Sequence, residues 1–277
     1  MNILIFAFIF LLGTIIGSFL NVVIYRFNTG RTIVTGRSIC MTCNNKLRWY
    51  ELIPVFSYLI QGGKCRRCKS IISQQYPIVE VLTGLVFALV AFKFLPILYT
   101  SYLAYVILVT LFVFLFSLLI VISVYDLRHK IIPDKLVFFF VLISFFSIFI
   151  NSSLFGSIFA WPTLADFLAG PVLALPFAFL WYFSKGRLMG LGDGKLVLGL
   201  GWMLGMSAGV FSIILSFWLG TIVSVALIIF SKISHDSNFE KLGMKSEVPF
   251  APFLIVSAFL TFVFGFNIFT LIKIFSI

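Results

Sequence analysis

Two aspartates at the ends of apolar segments are the residues best placed to do chemistry. Asp193 lies in "MGLGDGKL" (189–196), flanked by Gly190, Gly192 and Gly194, and Asp126 lies in "VISVYDLRHKIIPD" at the close of another apolar run. Two carboxylates at short range cannot both ionise cheaply, so they share a proton and titrate as a unit. Such a pair can activate a water as general base and protonate a leaving amine as general acid. Which aspartate takes which role is open at this level. The glycines leave the backbone free of side chains, so an extended substrate segment could come close to Asp193. Lys195 and Asp134 stand beside the pair as supporting residues. The competing structural reading has these acids capping helices and pairing with Lys195 or Arg128, with Asp134, after Pro133, as the N-cap of the next helix.

A second cluster carries metal chemistry. All four cysteines fall in one polar segment as "CMTC" (40–43) and "CRRC" (65–68), with 21 residues between the pairs. Two such knuckles can place Cys40, Cys43, Cys65 and Cys68 tetrahedrally around Zn²⁺. A four-thiolate site has no open position, so the zinc is structural, folding a segment too small for a strong core of its own. Free or redox-active thiols are the alternative.

These groups must be positioned by membrane helices. The chain has 277 residues, 61% hydrophobic, 18% aromatic and only 10% charged. Backbone groups in lipid must pair within their own segment, which predicts an all-α polytopic membrane protein. Apolar runs predict about eight spans, near 3–25, 77–95, 98–124, 134–150, 163–183, 194–207, 209–231 and 251–273. The run 196–230 is too long for one crossing, and Gly205, Ser207 and Gly209 sit where a turn divides it. The first span has no basic n-region or small-residue cleavage site and is read as a retained helix. Three domains follow: residues 1–25 as first span, 26–76 as a cytoplasmic four-cysteine zinc-binding domain, and 77–277 as the membrane-embedded catalytic domain.

The net charge of +11 does not call for nucleic acid, because 18 of the 20 lysines and arginines fall in loops on one side of this arrangement. Positive-inside orientation puts that side in the cytoplasm, with both termini outside and with Asp126 and Asp193 at one depth on the cytoplasmic side. Of the nine acids, Asp236, Glu240 and Glu247 belong to a solvated loop, Asp166 opens a helix, and Glu51 lies in the zinc loop. Glu80 sits about one turn into the second span, where an ionisable group is costly and functional by default. Asn21, beside Gly13 and Gly17, has a helix-packing reading as well as a functional one. His129 and His235 are read as surface residues.

The motifs together resemble the bacterial prepilin peptidases (type IV leader peptidases), membrane aspartic proteases of the GxGD class. The resemblance rests on "GSFLNVVIYR" (17–26), the paired CxxC knuckles, "ELIPVFSYL" (51–59), "YPIVEVLTG" (76–84), "DLRHKIIPD" (126–134), "GLGDGKL" (190–196) and "PFAPFL" (249–254), in that order along nearly the whole chain. It implies that Asp126 and Asp193 are the catalytic pair. It implies cleavage of the short basic leader of prepilin or pseudopilin precursors at the cytoplasmic face of a bacterial inner membrane. It also implies S-adenosylmethionine-dependent methylation of the new N-terminus, for which Asn21, Arg26, Glu51 and Glu80 could surround a methyl donor and a free amine. The chain departs from the family pattern at Gln75, where Arg is common, at Ala251, where Gly is usual, and in lacking prolines around the first knuckle. A carboxylate-based transporter and a zinc-stabilised, non-catalytic scaffold for pilus assembly are the competing classes. Transporter sites favour the midplane between repeats, and the chain shows neither feature.

Overall fold

The computed structural model describes residues 3–30, 32–150, 159–187, 189–233 and 248–270. The loop acids Asp236, Glu240 and Glu247, together with His235, Lys241, Lys245 and Lys273, lie outside the described residues. Ten α-helices are described: α1 (Ile3–Arg26), α2 (Phe56–Ile60), α3 (Gln75–Lys93), α4 (Leu95–Leu98), α5 (Tyr102–His129), α6 (Asp134–Ser147), α7 (Leu164–Ser184), α8 (Leu191–Leu204), α9 (Met206–Ile233) and α10 (Ala251–Phe264). Strand pairing among the described residues is limited to isolated bridges. Within α1, α3, α5, α7 and α9 lie five stretches of 19 to 28 residues that are long and apolar enough to cross a bilayer. α6, α8 and α10 have 14 residues each, about 21 Å at ~1.5 Å per residue against a hydrocarbon core of ~30 Å. The long run 196–230 does break at Gly205, whose φ of +80° ends α8 and lets α9 begin.

Contacts divide the chain into two compact units, residues 1–121 and 122–277, with the boundary inside α5. The four-cysteine segment and α3 fall in the same unit as α1. In the first unit α1 and α3 pack closely because small residues face each other. A Cβ on Gly13 would lie 2.8 Å from Cα of Gly84, and one on Gly17 would lie 2.8 Å from Cα of Glu80. Asn21 continues this seam, its Nδ2 donating to the Gly17 and Tyr76 carbonyls at 3.3 and 3.1 Å.

The intervening loop holds two knuckles of the same build. In each, the first cysteine's N–H reaches back across a tight turn, from Cys40 to the Asn45 carbonyl and from Cys65 to the Ser70 carbonyl, both at 2.9 Å. The residue after the second cysteine is left-handed in both, Asn44 at φ 54° and Lys69 at φ 60°. Single antiparallel bridges, Ile39 with Lys46 and Lys64 with Ile71, close the turns.

In the second unit α8 is the central element, packed against α6, α7, α9 and α10. Glycines admit its neighbours. A Cβ on Gly199 would meet the Phe140 ring at 2.5 Å, and one on Gly201 would meet the Ala169 carbonyl at 2.7 Å. Trp202 then donates its indole N–H to the Phe167 carbonyl at 3.0 Å, tying α8 to α7. α7 starts with a capping box in which Asp166 accepts from the Thr163 N–H at 2.8 Å. That matches the helix-opening role expected of Asp166.

Candidate active site

Both aspartates belong to the second unit. Asp126 is in the last turn of α5 and is 4% exposed, whereas Asp193 is in the first turn of α8 and is 8% exposed. Each is held by a backbone N–H at a helix start. Asp193 stands three residues after the N-cap Gly190 and accepts that residue's N–H, while Asp126 accepts the N–H of Ala251, the first residue of α10. The leading N–H groups of a helix have no partner inside it and carry its positive dipole end, so both starts suit a carboxylate. The charge of Asp126 reaches Asp193 directly. Among the described residues neither aspartate forms an ion pair, and Oδ1 of Asp193 is buried without a hydrogen-bond partner.

The supporting residues sort differently from expectation. Lys195 joins neither aspartate: its Nζ pairs with Oδ1 of Asp134 at 2.6 Å, and both side chains are exposed. Asp134 is the first residue of α6, and the N-cap position it was expected to fill is taken by Pro133, whose extended backbone already satisfies that geometry. Of the three glycines, only Gly190 faces the carboxylate, a Cβ there lying 3.6 Å from Oδ2 of Asp193. Gly192 instead admits Ile132, 2.9 Å from such a Cβ, and Gly194 lies 3.4 Å from Phe177 on the same measure. At both positions the missing side chain makes room for a packing neighbour. The Ala251 N–H was missed by sequence reasoning, because a backbone donor at a helix start leaves no side-chain signature. His129, expected on the surface, is exposed at the end of α5, its ring 4.5 Å from that of Tyr125.

The first unit holds a separate cavity of about 730 Å³, and Asn21, Arg26, Glu51 and Glu80 all line it. Glu80 is 6% exposed and Asn21 is 1% exposed. Oε2 of Glu80 accepts the Val55 N–H at 2.7 Å, and the Ser18 side chain also bonds to the carboxylate. Val55 is the centre of a tight turn with φ 61° and ψ −53°, closed by the Phe56 N–H on the Pro54 carbonyl. A β-branched residue there costs about 1–3 kcal/mol and persists only where its surroundings enforce it. Arg26 is engaged otherwise: its guanidinium donates to the carbonyls of Thr32, Thr35 and Arg37 at 2.8, 3.1 and 3.3 Å, clipping the loop onto α1. Glu51 accepts the Arg48 N–H at 2.8 Å. Oδ1 of Asn21 is buried with no partner among the described residues.

Cys40 and Cys65 line the same cavity. The four sulfurs lie within 4.8 Å of one another, and the Cys40 and Cys68 sulfurs are 3.8 Å apart. A tetrahedron with Zn–S bonds of ~2.3 Å has edges of about 3.8 Å, so the donors fit a metal of that size. The Cys43 N–H draws the Cys40 thiol down to about 6 and the Ser70 hydroxyl lowers Cys68, so both favour the thiolate that a metal requires.

Sequence comparison covers both units. The bacterial peptidase A24 N-terminal domain matches residues 11–94, and the type IV leader peptidase family matches residues 113–225. The chain is 30% identical over 284 residues to the prepilin leader peptidase/N-methyltransferase of Stutzerimonas stutzeri, covering 92% of this chain and 89% of the relative. Against the protein of that name from Bacillus subtilis (strain 168) it is 28% identical, covering 94% of each. Against that from Myxococcus xanthus (strain DK1622) it is 32% identical over 80% of this chain, and it spans 63% of that relative's length. No solved structure matches the chain. With apolar helices long enough to cross a bilayer, a four-cysteine cluster and this similarity along most of its length, the chain belongs to the type IV leader peptidase family and is a multi-pass membrane peptidase.

Proposed function

We propose that Asp126 and Asp193 are the proteolytic dyad and that the chain removes the leader of prepilin-like precursors at the cytoplasmic boundary of a bacterial inner membrane. The observation that carries this reading is the pair itself: two buried carboxylates from different helices, each on a helix-start N–H, with the charge of Asp126 felt at Asp193. With one proton between them, the ionised carboxylate takes a proton from a water as it attacks the scissile carbonyl. The protonated one donates to the leaving amine, and the pair is ready again after proton exchange. A precursor with a basic leader and a hydrophobic helix presents its scissile bond at the depth where α5 ends and α8 begins.

The first unit is assigned the N-methyltransferase half of the activity named in the relatives. Cys40, Cys43, Cys65 and Cys68 hold a structural zinc that fixes one wall of the cavity. Asn21 and Glu80 suit S-adenosylmethionine and an amine, because the Asn21 amide oxygen has no hydrogen-bond donor and the buried Glu80 carboxylate has donors but no cation among the described residues. When bound, that cofactor supplies an electrophilic methyl group. The chain's own residues enclose the site, and Arg26 holds the loop over it. The test is cleavage of a prepilin in membranes carrying wild type, Asp126→Asn or Asp193→Asn. Loss of cleavage by at least ~10³-fold in both folded variants is expected, and near-normal cleavage by either removes that aspartate from the mechanism.

A further inference from the structure

Glu80 is a buried acid whose counter-charge is missing. Its carboxylate accepts the Val55 N–H and bonds to the Ser18 side chain, yet among the described residues no Lys or Arg pairs with it. The one cation drawn from α1, Arg26, is committed to three loop carbonyls. A buried carboxylate without a cation is costly. The fold adds a strained turn at Val55 to hold this one in place.

Close by on the facing helix is a second unmatched acceptor. Tyr76 and Glu80 are one turn apart on α3, and Gly17 and Asn21 are one turn apart on α1. Gly17 abuts Glu80, and the Asn21 amide is anchored on the Tyr76 carbonyl. That anchoring commits the amide's N–H₂ and leaves Oδ1 buried without a donor, in a residue that lines the cavity. A negative charge and an orphaned acceptor describe a receptor for a cation that carries N–H donors. A sulfonium centre has the charge but no donors, whereas an α-ammonium has both. Because the methyl donor carries an α-ammonium of its own, a Glu80→Gln variant that loses S-adenosylhomocysteine affinity would assign the subsite to that group instead.

We infer that Glu80 and Asn21 form the subsite for the substrate's free N-terminal ammonium, with Glu80 as the base that frees its lone pair. This rests on the assignment of the cavity to methyl transfer. The α-ammonium binds with one N–H toward Glu80 and another toward Asn21 Oδ1. Glu80 takes a proton, the nitrogen lone pair forms the new N–CH₃ bond, and the S–CH₃ bond breaks with its electron pair returning to sulfur. The products are a secondary ammonium and a neutral thioether, and the proton on Glu80 leaves to solvent. The other ionisable groups on the cavity wall include Arg26, Arg37, Glu51, Tyr58 and the two thiols Cys40 and Cys65.

The experiment uses the full chain in detergent, saturated with S-adenosylhomocysteine, and an apolar 12-residue peptide with either a free or an acetylated N-terminus. Wild type is expected to bind the free amine at least tenfold more tightly than the acetylated peptide. Glu80→Gln is expected to lose that preference while its affinity for S-adenosylhomocysteine stays within about threefold. With S-adenosylmethionine, Glu80→Gln is expected to methylate about 100-fold more slowly at pH 7. It then recovers about tenfold by pH 9, as an amine of pKa near 8 deprotonates unaided. Glu80→Asp, which keeps the charge, is expected to restore the amine preference in part. A wild type that binds S-adenosylhomocysteine but is indifferent to acetylation overturns this inference and leaves the cavity assignment standing, whatever the fate of the variants. A wild type that binds neither sulfonium donor nor thioether product overturns both.

Discussion

Glu80 and the Asp126–Asp193 pair solve the same problem in opposite ways. Each places carboxylates where water is scarce, and each uses backbone N–H groups to hold them. In the second unit the acids come as a pair, which on the proposed mechanism holds one proton between them. In the first unit the acid is single and lines a cavity, and on the inference above a cationic ligand supplies the opposite charge. A self-sufficient pair suits hydrolysis, which needs only water and a peptide bond. A lone acid suits binding of a cation.

The largest expected effect concerns the wall of the cavity. Structural zinc contributes about 10–16 kcal/mol to the small folds that hold it. Cys65→Ser, or removal of the metal with a chelator, should therefore abolish S-adenosylhomocysteine binding and shift Trp49 fluorescence. Metal analysis of the purified chain should give one zinc per chain, and a Cys65→Ser variant that still binds the nucleoside would separate the knuckles from the cavity. Next in size are packing substitutions that strike one unit at a time. Gly201→Leu forces atoms into the Ala169 carbonyl and should cost the second unit about 2–3 kcal/mol, with cleavage falling and nucleoside binding preserved. Gly17→Leu, against Cα of Glu80, should do the reverse. Thermal unfolding with each ligand present reads both.

Smaller effects sharpen the description of the peptidase site. Gly192→Ala must displace Ile132 and should cost about 1–2 kcal/mol in unfolding measurements. Gly190→Ala meets Asp193 Oδ2 only at ordinary contact distance, so it should leave stability alone and lower kcat/KM several-fold by crowding the carboxylate. Smallest is Lys195→Met. The Lys195–Asp134 pair is exposed and should be worth less than about 1 kcal/mol, with cleavage changed no more than twofold. A larger loss would place Lys195 in contact with substrate.

Much of this was legible in the sequence for identifiable physical reasons. Apolar runs and turn glycines located the helices, including the break at Gly205, because lipid forces each segment to satisfy its own backbone. The spacing of the cysteines foretold the cluster, since two tight turns need only a flexible tether to meet. What escaped was carried by backbone. The Ala251 N–H on Asp126 and the Val55 turn on Glu80 depend on where loops and helix starts fall in space. The close approach of α1 to α3 through Gly13, Gly17 and Gly84 likewise depends on how two separate segments meet in space. The neighbours that Gly192 and Gly194 admit, Ile132 and Phe177, are likewise set by where other segments fall in space.

Two separate sites with different chemistry can be tested directly in one preparation. Asp193→Asn in the full chain is assayed for cleavage of a prepilin and for methylation of a peptide that already has a free N-terminus. Cleavage is expected to fall at least ~10³-fold while methylation stays within about threefold of wild type. Parallel loss of both activities in a folded protein, or retention of cleavage, would contradict the separation of the two sites.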